Sequence, residues 1–226
     1  MFNKYETYAR IFPAILTIIP IFIFSHFYLY TKIPEILDVI FVKITGSISI
    51  ILVLIYFISQ ISRYISKMLL QDNVFQNELH FPTTNYLLYS DKQYSKEMKE
   101  KIRSKIKIEF GLILSTPNEE KSSEVEARKR IKEAVGLIRN KVKNGHLLLQ
   151  HNIEYGFVRN LIGGTIISIP FSFFNIIFFT LQKNMIIVII SILLLVFYLT
   201  LFIIKKNILI YFGNNYASVL FNEYLS

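Results

Sequence analysis

Residues 185–204 form a run of twenty with no charged side chain, almost wholly Ile, Leu, Val and Phe, closed by Lys205 and Lys206. A helix rises about 1.5 Å per residue, so such a run measures about 30 Å, the thickness of a bilayer's hydrocarbon core. A helix that is apolar on every side has to be surrounded by protein or by lipid. Three further runs of similar character, 11–30, 39–61 and 161–181, make lipid the simpler reading. The chain is 53% hydrophobic overall, a modest excess over the roughly 45–50% of soluble domains. What matters is that its charges are gathered into one block.

The first run follows Lys4 and Arg10. It exceeds the roughly 7–15 residues of a signal-peptide core and lacks a small-residue cleavage site after it, so it reads as a retained span. Pro13 suits its first turn, Pro20 predicts a kink, and His26 near the far end reads as an interfacial anchor. The second run is uninterrupted only over 44–58, with Lys43 snorkelling at one end, and Gly46, Ser47 and Ser49 give it a small-residue face for helix contact. The third opens with Gly163 and Gly164, contains Pro170 and carries Ser168, Ser172 and Asn175 as polar exceptions. These six positions are candidates for helix-to-helix contacts or for lining a pore. The fourth run is expected to face lipid.

Short linkers join the first run to the second and the third to the fourth, because irregular chain cannot cross hydrocarbon. The expected fold is therefore an all-α membrane protein: a transmembrane hairpin over 1–61, a basic helical cytosolic domain over 62–160, a second hairpin over 161–206, and a tail over 207–226. Residues 62–160 hold 18 Lys and Arg against 12 Asp and Glu, a net of +6. Arg63, Lys67 and Arg159 flank the spans. By the positive-inside rule this segment and both termini face the cytosol, which makes the expected location a bacterial cytoplasmic membrane.

Within the block, 94–110 predicts one amphipathic helix, with Met98, Ile102, Ile106 and Phe110 at intervals of four. Lys99, Arg103 and Lys107 recur beside them, extended by Lys92 and Lys96. A solvated face is the plain reading. Like charges in one row repel, however, so an anion such as a lipid headgroup or a nucleotide phosphate is the alternative partner. Gly111 ends this helix, and Thr116, Pro117 and Glu119 are a capping box opening the next. That helix is expected to run to about Lys143, with Ala127, Ile131, Ala134, Val135, Ile138 and Val142 as its apolar stripe, and Asn144-Gly145 as its stop. Arg128, Lys132 and Arg139 flank the stripe and join the candidate anion-binding set. Residues 63–81 read as a polar extension of the second span, ending at His80-Phe81-Pro82-Thr83-Thr84. Residues 151–160 read as an interfacial linker, or as a coupling element through Tyr155 and Arg159, the latter also a contact for lipid phosphate.

There is no cysteine, no metal-ligand cluster around His26, His80, His146 or His151, no phosphate-binding glycine loop and no nucleophile elbow. No acid lies near a span centre, which argues against a proton- or sodium-coupled transporter. Nothing nominates a catalytic residue, a cofactor or a metal, and a non-enzymatic role is expected.

The stretches Tyr8-Ala9-Arg10-Ile11-Phe12-Pro13-Ala14, Pro82-Thr83-Thr84 and Tyr155-Gly156-Phe157-Val158-Arg159-Asn160 resemble those of small bacterial membrane effectors found with anti-phage genes, the Hailong-type effectors. The resemblance implies an ion channel formed by a homo-oligomer, a tetramer being one arrangement, whose opening depolarises the infected cell. It also implies a partner nucleotidyltransferase whose DNA-like oligoadenylate product holds the channel shut. Few aromatic residues are interleaved with the basic rows, a departure that weakens a base-stacking platform. The other expectation is a non-conducting scaffold that holds anionic lipid or a protein partner.

Overall fold

A computed structural model describes residues 3–29, 44–143 and 145–226, with side chains outside the description at 29, 44–51, 69 and 70. Every regular element among the described residues is helical. The first helix, α1, is continuous from Lys4 to Leu29, with π-helical turns at Thr7–Ile11 and Ser25–Leu29. Helix α2 is Ile44–Ile65, prolonged by a π-helical stretch at Ser66–Gln71 and one α-turn at Asp72–Phe75. Then follow α3 (Pro82–Asn85), α4 (Lys96–Phe110), α5 (Pro117–Ser122), α6 (Glu124–Lys141), α7 (His146–Leu181), α8 (Met185–Ile203) and α9 (Lys205–Leu225). Among the described residues three helices are long and apolar enough to cross a membrane: α1, α7 and α8. Residues 39–43 of the second expected span, and the side chains of Gly46, Ser47 and Ser49, lie outside the described part; the backbone at those three positions is helical.

The chain divides into two compact units, Met1–Leu69 with Gly156–Lys205, and Leu70–Tyr155 with Lys206–Ser226. These bounds differ from the expected 62–160 domain. The extension of α2 ends at Gln76, Asn77 and Glu78, all with positive φ (47°, 55° and 69°), ahead of the expected stop at 80–84. Pro82 instead opens α3, where its missing N–H costs nothing. The Thr116 capping box forms as read, but its helix stops at Ser123 and a new one begins at Glu124. Residues 151–160 are no linker, since they are interior to α7. Residues 207–226, the expected tail, lie within α9, whose Leu209, Tyr216, Leu220, Phe221 and Tyr224 are buried.

Three of the apolar helices in the membrane unit are joined by polar side chains that answer defects in α1. A proline lacks the N–H that would bond the carbonyl four residues earlier. Pro13 thereby frees the carbonyl of Ala9, and Pro20 frees that of Leu16. Asn160 Nδ2 of α7 donates to Ala9 O at 2.6 Å, and the Tyr198 hydroxyl of α8 donates to Leu16 O at 2.6 Å. In hydrocarbon an unanswered carbonyl is costly, so these bonds fix which helices lie against α1. Tyr198 also shows that α8 does not face lipid throughout. Ile187, Val188, Ser191 and Tyr198 make a buried stripe, while Ile186, Leu193 and Val196 are exposed.

Gly163 and Gly164 allow α7 to lie between α1 and α2. A Cβ on Gly163 would stand 2.6 Å from the Ser62 carbonyl oxygen, and one on Gly164 would collide with the Thr17 hydroxyl. Gly163→Ala should therefore destabilise the membrane unit by about 1–3 kcal/mol through overpacking, read as a lowered melting temperature in detergent. Gly136→Ala, with open space around it, should melt like the parent.

Candidate functional site

Lys99 and Arg103 are only 3% and 7% exposed. Lys99 Nζ donates to Leu88 O at 2.6 Å and to Asp91 O. Arg103 donates to Leu87 O through Nε (3.2 Å) and Nη2 (2.6 Å), and to Ser115 O through Nη1 (2.8 Å). Its guanidinium lies over the Tyr89 ring, 4.1 Å from the centroid. From the other side, the Glu120 carboxylate accepts the backbone N–H of Tyr89 (2.8 Å) and of Ser90 (2.9 Å). Residues 87–91 have no helix or strand to pair their backbone, yet Leu87 and Leu88 are buried. Three charged side chains supply the missing partners, meeting the requirement that buried backbone polar groups be bonded. Burial lowers the pKa of Lys99 and of Arg103. For Glu120 burial pushes the pKa up, but the two backbone N–H bonds, the Ser90 hydroxyl and the charge of Arg103 together hold the group below the ordinary carboxylate value.

Arg128 and Arg139 do similar work on the preceding segment. Arg128 donates to Leu79 O at 2.9 Å and to Asn85 Oδ1 at 2.6 Å, and pairs with Glu124. Arg139 pairs with Glu78 at 2.8 Å and reaches Thr83 Oγ1 at 3.5 Å. It thereby holds the last of the three positive-φ residues. The set Lys99, Arg103, Lys107, Arg128, Lys132 and Arg139 is thus not one exposed face: four members bind the chain's own segments between 78 and 115. Lys107 is exposed and Lys132 half-buried. Lys107 borders a shallow, open pocket of about 140 Å³ that Tyr89, Glu100, Arg103, Ser104 and Ile113 also line.

The polar residues of the third span are brought together with α1. Ser168 Oγ donates to Thr17 O at 2.9 Å, and Asn175 Nδ2 donates to Pro20 O at 2.7 Å. Tyr198 lies within hydrogen-bonding reach of Ser168. Thr17, Ser168, Ser172, Asn175 and Ser191 are all 0% exposed. Ser172 Oγ, Asn175 Oδ1 and Ser191 Oγ find no hydrogen-bond partner among the described residues. The turn between α7 and α8 centres on Lys183, so Asn175 and Ser191 stand at one level across the hairpin, as Ser168 and Tyr198 do. A polar seam therefore runs inside the apolar helices, partly satisfied and partly not. Ser191 and Tyr198 were missed in the sequence because each is isolated in an apolar run; their signal is their shared face with Ile187 and Val188.

Of the proposed coupling pair, Tyr155 is buried and packs edge-on against Phe81, with ring centroids 5.4 Å apart. Arg159 is half-buried one residue before Asn160. No group of three His, Cys, Asp or Glu suited to a metal occurs among the described residues. The chain matches no protein-family model, no curated protein and no solved structure.

Proposed function

We propose that the chain is an ion-conducting membrane protein, a homo-oligomer in a bacterial cytoplasmic membrane, controlled through its basic helical unit. The observation that carries this reading is the seam of Ser172, Asn175 and Ser191, buried inside apolar helices with side-chain oxygens that find no hydrogen-bond partner among the described residues. Unpaired polar atoms are costly anywhere in a protein interior, and in hydrocarbon no outside water relieves them. A hydrated route through the helices would. In this reading the four spans form two hairpins, both termini are cytosolic, and the polar face sets the conducting path while apolar neighbours gate it by dewetting. The likeness to Hailong-type effectors adds depolarisation in phage defence and gating by an oligodeoxyadenylate or other nucleotide. With Lys99 and Arg103 committed to backbone carbonyls, such an anion would meet Lys107 and the pocket beside it.

A non-conducting scaffold is favoured by a different observation, the bonds from Ser168 and Asn175 to backbone carbonyls of α1, which resemble packing contacts. Flux separates the two. The full chain, reconstituted as an oligomer in liposomes, should pass monovalent ions. Because it contains no cysteine, Ser172→Cys, Asn175→Cys and Ser191→Cys can each be exposed to a membrane-impermeant thiol reagent. They should react and block flux, whereas Leu193→Cys on the lipid side should not. Tight liposomes under every condition that preserves the oligomer, with all three thiols unreactive, would leave the scaffold reading.

A further inference from the structure

We infer that the polar seam between α1, α7 and α8 selects alkali cations over anions, with Ser172, Asn175 and Ser191 supplying the oxygens that hold the ion; this selectivity rests on the conduction reading. The seam's protons are already committed. A hydroxyl has one proton to give and two lone pairs to accept with. Thr17 Oγ1 gives its proton to Pro13 O at 2.8 Å, Ser168 Oγ to Thr17 O at 2.9 Å, and the Tyr198 hydroxyl to Leu16 O at 2.6 Å. Asn175 joins them through Nδ2, which donates to Pro20 O at 2.7 Å. Only the nitrogen of an amide can bond a carbonyl oxygen, so this contact fixes which way the side chain is turned and leaves Oδ1 at its other end. All four acceptors are backbone carbonyls of α1. Apart from the second N–H of Asn175, what these side chains still have to offer is lone pairs.

The atoms without a hydrogen-bond partner among the described residues fit the same sign. Asn175 Oδ1 can only accept. Ser172 Oγ and Ser191 Oγ can accept as well as donate, and a hydroxyl turns to suit its neighbour. All three residues are 0% exposed. Ser172 is one turn from Asn175 on α7, and Ser191 stands level with Asn175 across the hairpin. A cation entering between them would meet three oxygens, whereas an anion would meet little beyond two serine protons.

No full charge competes with these dipoles. Residues 11–28, 160–181 and 185–203 contain no Lys, Arg, Asp or Glu. Anion pores are lined by rings of Arg or Lys, whereas neutral oxygens can replace the hydration shell of a monovalent cation. A divalent cation, which favours carboxylates, is poorly served. Lys183 is exposed in the turn between α7 and α8. Salt screens an exposed charge over about 8 Å at physiological strength, less than the roughly 12 Å of helix that separates it from Asn175.

Reversal potentials of the full chain in planar bilayers, measured in asymmetric KCl, test the selectivity. Potassium should be favoured over chloride on the order of tenfold or more, the effect of one contact between an oxygen and a full charge. Ser172→Ala with Ser191→Ala removes only hydroxyls that bond nothing among the described residues, so this variant should melt like the parent in detergent. Its permeability ratio should fall about tenfold. Leu193→Ala, on the exposed side of α8, should keep the parent's ratio. A parent that conducts without preference, or that favours chloride, would overturn the selectivity and leave conduction standing. A double serine variant with the parent's ratio would place the selection elsewhere and overturn the assignment to these oxygens. Absence of any current from an intact oligomer would remove the conduction reading, and the selectivity with it.

Discussion

Arg103→Ala should strongly destabilise the basic helical unit rather than merely weaken an anion's binding. The substitution strips the carbonyls of Leu87 and Ser115 of charged donors at 2.6–3.2 Å and uncovers one face of the Tyr89 ring. A buried polar group left unpaired costs about 1–3 kcal/mol. Two such groups and the space left by a large side chain bring the loss to about 3–5 kcal/mol. Domains are stable by only about 5–15 kcal/mol in total, so the variant should melt far below the parent in circular dichroism and exchange its amide protons at 87–91 rapidly. Arg103→Glu should be worse still, because it sets a third carboxylate beside Glu100 and Glu120. Lys107→Glu, at an exposed position of the same row, should stay within about 0.5 kcal/mol of the parent. A ligand-binding role predicts the opposite pattern, with both variants folded and both deficient in binding. An Arg103→Ala protein with the parent's melting curve would show that the guanidinium is not a structural clamp.

That contrast shows where the sequence was legible. The apolar runs at 11–30, 161–181 and 185–204 declare themselves by composition, because hydrocarbon accepts little else over about 20 residues. The Thr116 capping box is equally readable: a hydroxyl and a carboxylate three residues apart satisfy each other's backbone whatever surrounds them. Lys99 and Arg103 misled because residue spacing gives the row on a helix but not the depth at which the row lies. Both sit on the shoulder of the Ile102 and Ile106 stripe, close enough for the side chains to turn inward. The clue lay in the partner segment. Leu87 and Leu88 are adjacent apolar residues in a stretch with neither helical nor strand period, and a buried stretch of that kind must borrow donors from side chains. The break at Gln76, Asn77 and Glu78 carried no such mark. No glycine announces its positive φ, and it rests on long-range bonds such as Arg139 to Glu78.

Ending the chain after Lys206 should have the largest effect, because residues 207–226 are core. The signal is visible once sought: Leu209, Gly213, Tyr216, Ala217, Leu220, Phe221 and Tyr224 recur at helical intervals, and all seven are buried. The asparagines and polar residues between them obscure the period. Polar anchors accompany the stripe. Glu223 accepts the backbone N–H of Leu148 at 2.9 Å, in the first turn of α7, where the helix has no acceptor of its own to offer. Lys105 Nζ donates to Tyr224 O at 2.6 Å, and Lys141 pairs with Glu109 at 2.5 Å over the same ring. Truncating one large buried aromatic costs about 3–5 kcal/mol, so Phe221→Ala alone should consume much of the unit's stability. Losing the whole helix should exceed the roughly 5–15 kcal/mol available to a domain. The truncated chain should still enter membranes, since α1, α7 and α8 are untouched. Its segment 96–143 should become protease-sensitive in detergent and lose cooperative melting. Removal of Ser226 alone should do neither. Undiminished protease resistance after truncation at Lys206 would mean that the basic unit holds itself together without α9.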